Sequence, residues 1–289
     1  MAISWYPGHM VRARKEAAET MARTDVVIEI LDARIPGASS NPMITQLRLH
    51  RQRPGLLVLN KSDLADPAVT PAWRTALSDR ENTRVIAISS KRSADVARLI
   101  PLAATLALHR DSPLKPLRLM VMGIPNVGKS TLINALVKRA VARVGDQPAV
   151  TRQQSRHDLG PAVEVIDTPG LMWPAITYPT DGLMLAASHA IGENAYIDEE
   201  VALFLAGFML ERYPTRVAER YSLVVDRLDA AGLIESIGAR RGYRLQGGRA
   251  DFQKAALALV HDYRSGALGR ISLETPASRA AMIESARAT

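Results

Sequence analysis

The sequence predicts an α/β protein, a parallel-rich doubly wound sheet followed by an all-α region, and three observations carry this expectation. Short runs of branched apolar residues recur along the first 170 positions. Helical patterns separate them, as in a chain that crosses back over a parallel sheet between strands. From about residue 180 the strand-like runs stop and Ala/Leu-rich helical patterns take over.

In chain order, "MVRARKEAAETMA" reads as a basic helix near the start, and "DVVIEILDA" (25–33) as the first buried strand. Further strands are read at "GLLVLN" (55–60), "RVIAIS" (84–89), "LRLMVMG" (117–123) and "AVEVID" (162–167). Near-continuous apolar runs of this length fit strands covered on both faces. "NPMITQLRLHR", "TPAWRTALSDR", "SADVARLIPLAATLALHR" and "KSTLINALVKRA" supply the helices between them, and the proline-bearing "RDSPLKP" (110–116) is the connection between the two halves. After "DTPGLMWP" the patterns "DEEVALFLAGFMLERY" and "DFQKAALALVHDYRSG" are helical. The expected division is therefore 1–178, a nucleotide-binding domain with its N-terminal basic helix, and 179–289, a helical domain.

Composition narrows the function classes. With 47% hydrophobic residues in 289, the chain can bury a sizeable core. It has no cysteine, which excludes disulfides, thiolate metal sites and cysteine nucleophiles and is compatible with a reducing compartment. No apolar run approaches the roughly 20 residues that span a bilayer, and the N-terminus lacks an apolar leader, so a soluble, cytoplasmic protein without membrane contact is expected. A net charge of +8 and a pI near 10.0 favour a polyanionic partner. With three Phe, seven Tyr and three Trp, platforms for stacking single-stranded bases are few, which points to folded RNA gripped through its backbone.

"GIPNVGKS", from Gly123, fits the phosphate-loop pattern between a predicted strand and a predicted helix. Backbone N–H groups around Asn126, Val127 and Gly128 would cradle phosphate oxygens, aided by the helix N-terminus. Lys129 would reach the β- and γ-phosphates, Ser130 would ligate Mg²⁺, and Thr131 completes the nucleotide contacts. Asp167, at the end of a strand, is the second Mg²⁺ candidate, and the Gly170 N–H of "DTPG" can approach a γ-phosphate. In the intervening "GDQPAVTRQQSR", Thr151 is the candidate switch threonine for Mg²⁺ and γ-phosphate, or else an ordinary residue of a basic loop.

Asn60, Lys61 and Asp63 form Asn-Lys-x-Asp after a predicted strand. The Asp63 carboxylate can accept from guanine N1–H and N2–H₂, donors that adenine lacks, which selects GTP and GDP. Lys61 would lay its stem along the base. Ser89 and Ser90, in "ISSK", supply a second base loop, with the Ser90 N–H directed at guanine O6. The base reader thus precedes the phosphate loop, the reverse of the ordinary order. Because a parallel sheet keeps its ligand crevice at the strand carboxyl ends whichever strand comes first, the sequence predicts a circularly permuted P-loop GTPase domain.

The permuted order, "WYPGHM", "DARIPGASSNP", "GIPNVGKS", "DTPGL" and "GGRADFQKAALALVHDYRSGALGRISLE" together resemble the ribosome biogenesis GTPase A family over nearly the whole chain. The chain departs from that family's pattern at Ala149, where glycine is common. The resemblance implies a GTPase, slow alone and stimulated by the large ribosomal subunit, that acts late in maturation of that subunit. It also implies a helical C-terminal domain contacting rRNA and ribosomal proteins. Its expected state is a monomer. A regulatory G protein with protein-only partners is the alternative. Leu171 stands where many GTPases carry a water-orienting Gln, and the resemblance implies that His9 supplies this function; its other role is to cap the following helix. Asn126 is a candidate K⁺ ligand, as in related GTPases, or a turn residue. Because the chain runs from the Asp167–Gly170 switch directly toward the helical region, γ-phosphate contacts are expected to bias that region's orientation.

Overall fold

The computed structural model describes residues 8–108, 110, 114–137, 154–159, 162–173, 175–245 and 248–288, with side chains from residue 14 onward. Its sheet has six strands: β1 (Val26–Asp32), β2 (Gly55–Asn60), β3 (Thr83–Ala87), β4 (Leu117–Met122), β5 (Ser155–Asp158) and β6 (Val163–Asp167), in the order β3-β2-β1-β4-β6-β5. All neighbouring pairs are parallel except β5 with β6. The chain lays β1, β2 and β3 outward in one direction, then returns to place β4 on the other side of β1. The order reverses between β1 and β4, the position where open α/β sheets bind ligands at their carboxyl edge.

Each of the five expected strands forms. β5 is the strand that the sequence does not announce, because "SRHD" is short and polar and gains its hydrogen bonds by pairing on the sheet edge, where an apolar pattern is not required. The expected single helix over "SADVARLIPLAATLALHR" is broken into α5 (Ser93–Ala97) and α6 (Leu99–Ala104). Pro101 has no N–H to donate, and restarting the helix at Leu99 puts it in the first turn, where none is required.

Alternating strand residues feed different cores. Val26, Ile28 and Ile30 of β1 join a large apolar cluster with residues such as Leu205, Ile234 and Leu259 of the late helices. Val27 enters a second cluster with Ala17 and Met21 of α1 (Gly8–Met21), while Leu31 packs in a third with Trp73 of α4 (Thr70–Ser78). The late helices are α8 (Pro179–Ala187), α9 (Asp198–Arg212), α10 (Pro214–Tyr221), α11 (Ala230–Arg240), α12 (Phe252–Ser265) and α13 (Pro276–Ala288). Asp251 caps α12 by accepting from the Lys254 N–H, and Gly266, at φ 82°, ends it in the left-handed region.

The segment between α12 and α13 shares the apolar cluster of the late helices through Leu268, Ile271 and Leu273, and its Ser272 carbonyl accepts from the Tyr213 hydroxyl at 3.2 Å. It also runs along the loop after β2 and the turn after β1, where the Leu273 N–H donates to the Arg34 carbonyl and Trp73 Nε1 donates to the Glu274 carbonyl.

Candidate nucleotide-binding site

The loop between β4 and α7 (Lys129–Val137) has the shape that its glycines and asparagine allow. Gly123 sits at φ 146°, and a Cβ there would lie 2.6 Å from the Ile30 carbonyl oxygen of β1. Gly128, at φ 96°, would bring a Cβ to 2.4 Å from Asn60 Nδ2. Asn126 adopts φ 57°, a conformation asparagine tolerates, and its side-chain amide donates to the His189 carbonyl at 2.8 Å. Lys129 is buried, and its ammonium donates to the Ile124 carbonyl at 2.8 Å. Burial pushes its pKa down to about 8, against the opposing pull of Asp167. Ser130 and Thr131 follow in the first turn of α7.

Asp167 ends β6, fully buried, opposite Val121 of the adjacent β4. The next residue, Thr168, donates its hydroxyl to the Val121 carbonyl at 2.8 Å. Gly170 packs so closely on Pro125 that a Cβ would lie 2.9 Å from its nitrogen, and the Leu171 N–H reaches the Gly123 carbonyl at 3.2 Å. The aspartate and glycine of "DTPG" therefore lie against the phosphate loop. Asp167 and the Ser130 hydroxyl are hard oxygen donors of the kind that hold Mg²⁺ beside nucleotide phosphates. Among the described residues no group of three or more His, Asp or Glu side chains forms a metal site of its own.

The base motif meets the phosphate loop through one residue. Asn60, 1% exposed, donates Nδ2 to the Val127 carbonyl at 2.8 Å, and its Oδ1 accepts from the Ser90 N–H at 3.0 Å and the Ser90 hydroxyl at 2.7 Å. Three stretches far apart in sequence, at 60, 90 and 127, are thereby joined. The geometry redirects one expectation: the Ser90 N–H assigned to guanine O6 is engaged by Asn60, so Ser90 stands at the base site as a clamp on Asn60. Ser89 is buried beside it, and its N–H donates to Asp95 at 2.9 Å.

Lys61 is held in the left-handed region at φ 59°, and its ammonium pairs with Asp32 at 2.9 Å. Asp32 also accepts a forked pair from Arg34, at 2.9 and 2.7 Å. Burial pushes the Asp32 carboxyl up, but the two cations outweigh it and hold the group well below the usual carboxylate range. Arg34 in turn lies over the ring of Tyr263 in α12, its Cζ 4.8 Å from the ring centroid. Asp63 is half-buried and within electrostatic range of Arg34 and Lys61.

Asp32, Arg34 and Asn41 are site-supporting residues to which sequence reasoning assigned no role, although "DARIPGASSNP" contains all three. Asn41 caps α3 (Pro42–His50) by accepting from the Met43 N–H at 3.0 Å, and donates to the Leu171 carbonyl at 2.8 Å. Leu171 itself is buried against Ala17 and Met21 of α1. His9 lies at the start of that helix, about 12 Å along its axis from Ala17 at 1.5 Å per residue; its side chain lies outside the described residues. Thr151 lies outside them altogether.

The chain is similar to known GTPases over most of its length. The profile of the 50S ribosome-binding GTPase family matches residues 118–206, the part of the chain that begins at β4, with the Asn60 motif preceding it. The ribosome biogenesis GTPase A of Bacillus licheniformis is 36% identical over 283 residues, covering 96% of this chain and 99% of that protein. The mitochondrial ribosome-associated GTPase 1 of Mus musculus is 29% identical, covering 93% and 89% respectively. The GNP-bound YlqF of T. maritima, at 23% identity, shares the fold with a TM-score of 0.64, covering 92% of this chain and 99% of its own.

Proposed function

This chain belongs to the ribosome biogenesis GTPase A family and hydrolyses GTP, and we propose that it does so as a cytoplasmic factor for late maturation of the large ribosomal subunit. In this reading residues 1–178 bind and hydrolyse the nucleotide and 179–289 bind the precursor subunit through rRNA and ribosomal protein. Binding is tight with GTP and is released after hydrolysis. The observation that carries the reading is Asn60, which brings the base motif onto the phosphate loop of a basic chain of this family.

Asp63 reads guanine, Lys61 flanks the base, and Lys129, one of whose three donors meets the Ile124 carbonyl, grips the β- and γ-phosphates with the others. Ser130, Asp167 and Thr151 would hold Mg²⁺, which would neutralise charge on the phosphate oxygens. The Gly170 N–H meets the γ-phosphate. Leu171 cannot orient water, being apolar, buried and tied by its carbonyl to Asn41. His9 takes that role when the subunit positions it, a reading supported by α1 packing on the same apolar cluster as Leu171. Asn126 would contribute to a K⁺ site, and hydrolysis is then expected to run faster in K⁺ than in Na⁺.

Co-sedimentation with large-subunit precursors in GDP, GTP and a non-hydrolysable GTP analogue tests the assignment. Retention with the analogue and release with GDP is the expected result. Partners that survive RNase, together with absence from ribosomal fractions in every nucleotide state, would replace this reading with that of a regulatory G protein. With the same precursors present, phosphate release from GTP is expected to fall about tenfold or more in His9→Ala while GTP affinity stays intact.

A further inference from the structure

The base-reading loop does not hold its shape by itself. Residues 270–274, "RISLE", lie along it and along the turn after β1. Arg270 donates Nε to the Ala65 carbonyl at 2.8 Å and Nη2 to the Ser62 carbonyl at 2.9 Å, so one guanidinium clasps the backbone on both sides of Asp63. The Ile271 N–H donates to the Leu64 carbonyl at 2.8 Å, and the Ser272 hydroxyl accepts from the Asp66 N–H at 3.0 Å. Farther along, the Glu274 carboxylate accepts from the N–H groups of Gly37 and Ala38.

We propose that this segment is a brace for guanine recognition, with Arg270 a positioning residue that sets where the Asp63 carboxylate meets the base. Three features support this. The contacts are made almost entirely to backbone groups of residues 62–66, which fixes the course of the loop without using the side chains that face the nucleotide. Arg270 is exposed, so its placement serves the two carbonyls rather than a core. Its rigid fork of donors suits two carbonyls at once, a geometry that a lysine ammonium does not reproduce. The loop is held from its other side by the Lys61–Asp32 pair, so Asp63 lies between two fixed points. The brace also ties the base end of the nucleotide to the helical region, because residue 270 follows α12 directly; what docks on those helices can change the grip on the base, and the base can change the docking in return.

The inference rests on the assignment of Asp63 as the guanine reader, and the test separates the two. Affinities of the full-length protein for GDP and for inosine diphosphate, which lacks the 2-amino group, are measured by calorimetry for the unmodified protein, Arg270→Ala and Arg270→Lys. KM and kcat for GTP are measured alongside. The unmodified protein is expected to favour GDP. Arg270→Ala is expected to weaken GDP binding about tenfold and inosine diphosphate about threefold, raising KM with kcat at saturating GTP changed less than about twofold. Arg270→Lys falls between. An unaltered GDP preference in Arg270→Ala, or a fall in kcat without a rise in KM, overturns the brace while leaving Asp63 its role. Equal binding of the two nucleotides by the unmodified protein overturns both.

Discussion

At the base end of the cleft, Asn60, Lys61 and the backbone around Asp63 are held by Ser90, Asp32 and Arg270, side chains from three other parts of the chain. At the phosphate end, Lys129 donates to a carbonyl of its own loop, and burial holds its pKa near 8. That ammonium has three donors, so it can keep the Ile124 carbonyl and still donate to a phosphate oxygen. The two ends therefore differ in what supports them: the Asn60 motif is held by residues distant in sequence, the Lys129 ammonium by a carbonyl of its own loop.

The largest expected effect strikes the braced end. Arg34→Ala removes the forked partner of the buried Asp32 and the cation over Tyr263, and is expected to lower unfolding free energy in urea by about 3–5 kcal/mol. A loss under about 1 kcal/mol would mean that the Asp32 pair does little to hold this end and that the contrast is false.

Lys129→Met probes the other end and should show the opposite pattern. GTP affinity is expected to fall about a hundredfold or more, whereas unfolding free energy falls by only about 1–3 kcal/mol, because Asp167 and the Ile124 carbonyl lose a partner but the ammonium's own desolvation is relieved.

The smallest effect sharpens the comparison through pH. A Lys129 lowered to about 8 in the free site must regain a proton when it binds phosphates above that pH, so affinity is flat below about 7.5 and falls above 8. Between pH 7.0 and 8.5 the Kd for GDP is expected to rise about fourfold by titration calorimetry, and Lys129→Arg should remove most of the slope.

These two ends also differed in how much the sequence disclosed. The phosphate loop was legible because its chemistry is local: Gly123, Gly128, Lys129 and Ser130 lie within eight positions, between a strand and a helix. Asn60 and Asp63 were legible for the same reason, and the permuted order followed from finding both. The supports were not. Arg34 depends on Tyr263 and Arg270 on the Ser62 carbonyl, partners more than 200 residues away, and backbone acceptors leave no residue-type signature. The Ser90 N–H was assigned to guanine because the pattern shows that a loop is present but not which amide a neighbouring asparagine occupies. β5 escaped because a polar edge strand lacks the apolar periodicity by which the other strands were read.

Arg270 joins the chain 208 positions after the Ser62 carbonyl that it holds. At roughly 5–20 residues per second of synthesis, about 10–40 s separate the two on the translating ribosome. Throughout that interval the loop around Asp63 is tethered by the Lys61–Asp32 pair without Arg270, so its final course has to await emergence of the segment after α12.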